Sequence, residues 1–419
     1  MSTAPDDSPT DDLENLPLLE VAVSPTAAAA APGLDAEPVT QLLTSDERQD
    51  SATPTTGTYR LPHAGHALLW VLLMFGSQLV FGLLIGIPLA VVLIATGKIH
   101  FQPGMPLDTS EIETSLNRII VPIATLMTLL FSLGVVLVLF RRESARCMGL
   151  RGMSATQVML VLLSVLPCAL LASEVTNWAS ELLPNASMDL FGDFAQESWW
   201  LVFVAACLFP GVGEELFFRG FLSRGLVAHH GPWLGTLIAA FYFGAIHLHP
   251  IQACGAFALG LALQFVFLTT RSLWGAILLH TGNNAVAFLA MRYGHLVPIP
   301  GFTSNAPNEA VEDGIPVPRN DEWIENLMGG GPGISHTAPV LLIAAIVAVA
   351  AIAWAMLRTR TRWLRPDGTE WSRGFLSAEA PRSEVPVQTV TGKLDEITAS
   401  VLFFANAGFF VALYLHVQR

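Results

Sequence analysis

Nine separate runs of mostly apolar residues punctuate the sequence, and their length is what most limits the folds open to it. They are Ala67–Thr96, Ile119–Phe140, Val158–Ser173, Trp199–Leu226, Leu234–His249, Ile251–Thr270, Leu273–Met291, Pro339–Leu357 and Ile397–Val417. A membrane-spanning helix needs about 20 such residues. Several runs are short or polar, so the expected fold is an all-α polytopic transmembrane helical bundle of eight or nine spans. Only 13% of the residues are charged, against about 25% in soluble domains, which excludes an ordinary cytosolic fold.

The formal charge of -13 is concentrated at the start of the chain. Residues 1–60 hold eleven acids against Arg48 and Arg60, and so carry nine of the thirteen net negative charges. Rich in Pro, Ser, Thr and Ala and without apolar periodicity, this tail cannot bury enough surface to offset its chain entropy, and disorder is expected. No basic start followed by an apolar stretch marks a signal peptide. The acidic balance argues against a nucleic-acid partner. Cys147, Cys168, Cys207 and Cys254 show no metal-ligand spacing and read as small buried hydrophobes.

The basic residues give an orientation. With the N-terminus inside, sixteen of the 21 Lys and Arg fall in inner segments, and only Lys98, Arg118, Arg292, Arg319 and Arg419 fall outside. Arg219, Arg224 and Arg271 are counted among the sixteen. The outer loop 174–198 has five acids and no base. The positive-inside rule therefore predicts a multi-pass protein of the plasma or inner membrane with a cytoplasmic N-terminus. The external loop 292–338 is expected to be irregular, and the inner loop 358–396 a solvated linker. Trp354, Trp363 and Trp371 read as an interfacial aromatic belt.

Charges within a span are expensive, about 2.5–3.5 kcal/mol each at the helix centre on insertion scales. The stretch Phe209–Arg219 nonetheless contains Glu214, Glu215 and Arg219. Glu215 and Arg219 are four apart with the acid first, the favourable order for a same-face pair. Glu214 points about 100° away around the helix. The following spans add His247, His280 and Asn284, the last two again four apart on one face. If the chain turns back at His229-His230-Gly231-Pro232, all four cavity candidates reach mid-depth. Glu214 can take a proton from water, and His and Asn side chains can donate to a developing oxyanion. Alternatively Glu214, His247 and His280 supply three ligands to a divalent metal such as zinc, with a fourth position open.

The motifs Glu214-Glu215-x-x-x-Arg219, Phe243-x-x-x-His247 and His280-x-x-x-Asn284, in this order on successive spans, resemble those of the CPBP intramembrane proteases. That family includes the type II CAAX prenyl endopeptidases and the bacterial Abi-type proteins. The resemblance covers about residues 200–291. It implies peptide-bond hydrolysis, with Glu214 and His247 activating water and His280 and Asn284 stabilising the oxyanion. It implies a structural role for Glu215, Arg219 and Phe243. The partners implied are the lipid bilayer and a membrane-associated peptide or protein substrate, including CAAX-type prenylated ones.

Other classes fit less well. There is no His-Glu-x-x-His, Ser223 lacks a Gly-x-Ser-Gly context, and no paired membrane aspartates occur. A non-catalytic scaffold or immunity-type member need not keep Glu214, His247, His280 and Asn284 together. A transporter would want a polar stripe through the bilayer rather than charges at one level. The expected organisation is a tail (1–60), N-terminal transmembrane helices (61–198), a catalytic helical core (199–291), an external loop (292–338) and C-terminal transmembrane helices with a basic inner loop (339–419).

Overall fold

The computed structural model describes residues 62–96, 110–140, 148–183, 192–293, 311–312, 315–316, 336–364, 366–368 and 388–417. The tail 1–60, Cys147, Trp371 and most of the loop 292–338 lie outside the described residues. Each apolar run lies wholly or mostly in a helix or a helical arm. These are α1 (Ala64–Ala95), α2 (Ser110–Phe140), α3 (Ala155–Leu182), the short α4 (Gly192–Ala195) and α5 (Trp199–Val202), and α6 (Phe209–Glu215). They are followed by α7 (Ser223–Ala245), α8 (Pro250–Thr270), α9 (Leu273–Tyr293), α10 (Pro339–Arg358) and α11 (Glu396–Val417). Two-residue strands β1 (Val311–Glu312) and β2 (Ile315–Pro316) pair with each other, as do β3 (Thr361–Leu364) and β4 (Gln388–Thr391).

Among the described residues, seven helical stretches are long and apolar enough to cross a membrane. One of them, Trp199–Ala245, has 47 residues, more than twice what a crossing needs. It reverses at Gly231, whose φ of 79° is open to glycine and which Pro232 follows. A Cβ at Gly235 would stand 2.6 Å from the Cα of Val227, so the two arms touch there. The turn expected at residues 229–232 is thus present. α9 has the length of a crossing, 21 residues, but its polar side chains leave it outside the seven.

α3 and α7–α9 pack together at the centre, with α1 and α2 on one flank and α10 and α11 on the other. Leu69, Leu72 and Leu84 of α1 and Phe403, Phe404 and Val411 of α11 are exposed. That is an apolar exterior suited to lipid.

The two ends of the bundle differ. At the hairpin end, Ser154 and Gln157 form a reciprocal capping box at the start of α3. The Gln157 amide also donates to Thr359 O and Thr361 Oγ1, both at 3.0 Å. Arg271 adopts a left-handed conformation (φ 53°) and its Nε donates to Thr361 O at 3.1 Å. Trp363 is 1% exposed, with the Arg151 and Arg271 guanidinium carbons 4.6 and 4.3 Å from its ring centre. The aromatic-belt expectation therefore fails for Trp363, a buried anchor that rivets part of the supposed linker to the bundle. At the cavity end, α3 continues past Ser173 to Leu182, so Glu174 and Glu181 belong to a helix and not to a loop. Glu174 is buried because His336 Nδ1 and the Thr337 N–H bond its carboxylate at 2.7 and 3.0 Å.

Three of the bases assigned to inner loops are not loop charges. Arg219, Arg224 and Arg271 are each at most 5% exposed. Removing them leaves thirteen bases inside against five outside, so the charge asymmetry persists.

Candidate active site

The chain from Trp199 to Leu222 alternates between two hydrogen-bonding patterns. π-Helical turns at Phe203–Leu208 and Leu216–Leu222 flank α6. Such turns are rare and cluster at functional sites. Nothing in the sequence pattern signalled them. α6 is drawn tightly into the bundle by its glycines. A Cβ on Gly211 would lie 2.2 Å from Thr281 Oγ1 on α9, and one on Gly213 would lie 2.8 Å from Leu129 Cα on α2. Only hydrogen at these positions lets Glu214 and Glu215 come beside α9.

Glu215 and Arg219 pair as the spacing predicts, with Arg219 Nη1 donating to Glu215 Oε1 at 2.8 Å. Both are essentially excluded from solvent. The pair has a further function that spacing alone did not reveal: His280 Nδ1 also bonds Glu215 Oε1, at 2.8 Å. Arg219 is held in turn by Gly260 O at 3.0 Å and lies over the Phe243 ring at 4.4 Å. Phe243 is the shared wall of the site. Its ring meets His247 and His280 edge-on, each at 5.5 Å between centroids.

Glu214, His247, His280 and Asn284 all line one cavity of about 280 Å³. Asn283, Gln252, Thr125 and Thr176 also line it, and none of these was singled out from sequence. The doublet Asn283-Asn284 was the available signal for the first. Glu214 Oε2 and Asn283 Oδ1 are buried with no hydrogen-bond partner. His247 departs from expectation in place though not in company. α7 ends at Ala245, and His247 stands in the following turn, where Leu248 (φ 57°) and Pro250 prevent the helix from continuing. The cavity accordingly runs from the middle of α3, α8 and α9 to the end of the bundle where His247 stands.

The imidazole hydrogen bonds constrain proton positions. His247 Nδ1 is 3.0 Å from Phe243 O. A carbonyl only accepts, so Nδ1 carries the hydrogen and Nε2 keeps its lone pair in the neutral ring. A carboxylate at Glu215 has the same effect on His280. Metal-ligating histidines adopt this arrangement, yet among the described residues no group of three His, Cys, Asp or Glu is disposed to hold a metal ion. Glu214, His247 and His280 share a cavity without converging as a ligand set, and no step below is routed through a metal. Asn284 Nδ2 donates to Ala206 O at 3.1 Å, which leaves its second N–H for another acceptor.

Residues 196–286 match the Rce1-like family, described as type II CAAX prenyl endopeptidase Rce1-like. The Rce1-like segment begins just before α5 and ends just after Asn284, so it contains all three motifs and every cavity-lining polar residue named above except Thr125 and Thr176. The likeness covers 91 of the 419 residues, and the matched segment is set in an integral multi-pass membrane protein. No curated protein and no solved structure matches the chain at a significant level.

Proposed function

We propose that this cavity hydrolyses a peptide bond of a membrane-associated polypeptide, prenylated CAAX-type termini being the substrate class attached to the matching family. The observation that carries the reading is Glu214, a carboxylate in a buried cavity whose Oε2 has no partner. A carboxylate that lines a cavity within the spans is costly to keep and marks a functional position.

A water molecule between Glu214 and His247 Nε2 would lose a proton to Glu214 as its oxygen attacks the carbonyl carbon. Asn284 supplies its free N–H to the developing oxyanion. His280 can donate from Nε2 only as the imidazolium, because Nδ1–H is committed to Glu215. Collapse of the tetrahedral adduct breaks the C–N bond, and the proton on Glu214 passes to the leaving amine. The products are a carboxylic acid and an amine.

Glu214→Gln keeps size and polarity but removes the proton acceptor. In proteoliposomes supplied with prenylated and unprenylated peptide libraries, the purified wild-type chain is expected to release new termini and Glu214→Gln none, with equal insertion. Full cleavage by Glu214→Gln would end this mechanism. No cleavage by the wild-type chain would favour a non-catalytic scaffold.

A further inference from the structure

Asn284 is held by a main-chain carbonyl that a helix would ordinarily keep for itself. Its Nδ2 donates to Ala206 O at 3.1 Å, and Ala206 lies inside the π-helical turn Phe203–Leu208. In an α-helix the carbonyl of residue 206 would accept from the N–H of residue 210. Residue 210 is a proline, which has no N–H and whose ring crowds the carbonyl four residues back. The wide turn is where the chain absorbs that ring: the Phe209 N–H reaches back five residues, to Val204 O. Gly211 completes the approach, since a side chain there would collide with Thr281 on α9. A freed carbonyl and a close helix contact thus meet within two turns of Glu214.

The rest of the Asn284 amide follows from that contact. A carbonyl only accepts, so Asn284 presents nitrogen to Ala206 and turns Oδ1 away. Asn284 Oδ1 in turn accepts from Asn283 Nδ2 at 3.4 Å. With one N–H and the oxygen engaged, the second N–H is left for the cavity, which Ala206, Pro210, Glu214 and Asn284 all line. We infer that Pro210 is a positioning residue of the hydrolytic site: by withholding an N–H and tilting the Ala206 carbonyl toward α9, it fixes the Asn284 carboxamide with its second N–H toward the oxyanion. The inference rests on the hydrolytic reading and adds to it the group that orients the oxyanion donor.

The test compares Pro210→Ala, Pro210→Gly, Asn284→Ala and the double variant Pro210→Ala/Asn284→Ala of the full-length chain in proteoliposomes, on a peptide that the wild type cleaves. Alanine and glycine both restore the N–H, but glycine is the poorer helix former. In both Pro210 variants kcat is expected to fall by about 10- to 100-fold, up to the loss that a 1 Å misplacement can cause. KM should not change, because the oxyanion forms only on the way to the transition state. In the Asn284→Ala background, Pro210→Ala should lower kcat no further, since two residues that act through one contact are not additive. Melting temperature in detergent should be lower for Pro210→Gly than for Pro210→Ala while their kcat values agree. Unchanged kcat in Pro210→Ala, a further loss of the same size in the double variant, or kcat that follows melting temperature from one Pro210 variant to the other would each overturn the inference. Glu214→Gln separates it from the reading beneath it. Full cleavage by Glu214→Gln, or none by the wild type, removes both. A cleaving wild type, an inert Glu214→Gln and an unaffected Pro210→Ala remove only the role of Pro210.

Discussion

His280 and His336 are each held by carboxylate, and what each has left over differs. His336 spends both ring nitrogens, Nδ1 on Glu174 and Nε2 on Glu181, each at 2.7 Å, at the cavity end of α3. His280 spends only Nδ1, on a carboxylate already paired with Arg219, and its ring borders the cavity. The first arrangement is complete in itself and fastens the segment before α10 to α3. The second leaves a polar edge available in a place where polar groups are costly. Unspent capacity, rather than the presence of a histidine–carboxylate pair, distinguishes the site from a strut.

The sharpest way to break this comparison is at Glu215. Glu215→Gln removes the charge that balances Arg219, and breaking a buried pair costs about 3–5 kcal/mol. The variant is expected to lose both activity and thermal stability in detergent, unlike Glu214→Gln, which should lose activity alone. A stable, inactive Glu215→Gln would make Glu215 a participant in the chemistry rather than the anchor of His280. Asn284→Ala removes an oxyanion donor, for which a loss of roughly 10²–10³ in turnover is typical. Turnover unchanged at saturating substrate would leave Asn284 only its bond to Ala206.

The smallest effect belongs to His336. Its hydrogen bond to Glu181 holds its pKa above the ordinary 6.5, Glu174 adding to this and partial burial opposing it. Folding therefore favours the protonated ring. The stabilisation is full below about pH 6.5 and is lost as pH rises through the raised value. Melting temperature should fall modestly as pH is raised from about 6.5, and the fall should flatten in His336→Gln. An unchanged slope in that variant would remove His336 from the account. Asp395, pulled down to about 2 chiefly by the Thr398 N–H and the Arg358 side chain, does not titrate across that range.

The helical crossings, the reversal at Gly231 and the Glu215–Arg219 pair were legible in the sequence. Each depends on residues within a few turns of one another, because partition into a membrane is decided segment by segment and i,i+4 pairing within one helix. The convergence of Glu214, His247, His280 and Asn284 on one cavity was legible too, through motif order and spacing. Only His247 stands apart from the expected helix, because Leu248 and Pro250 end α7 before it.

What only the tertiary structure decided involves partners far apart in the chain. His280 meets Glu215 across 65 positions, and Gln157 meets Thr361 across 204. These contacts gave Glu215 Oε1 two cationic or N–H partners from Arg219 and His280, whereas Glu214 has neither. They also turned Trp363 from an interfacial residue into a plug. A side chain's polarity is a local property and can be read from the sequence, but whether that polarity is satisfied depends on which distant groups the packing brings within hydrogen-bond reach.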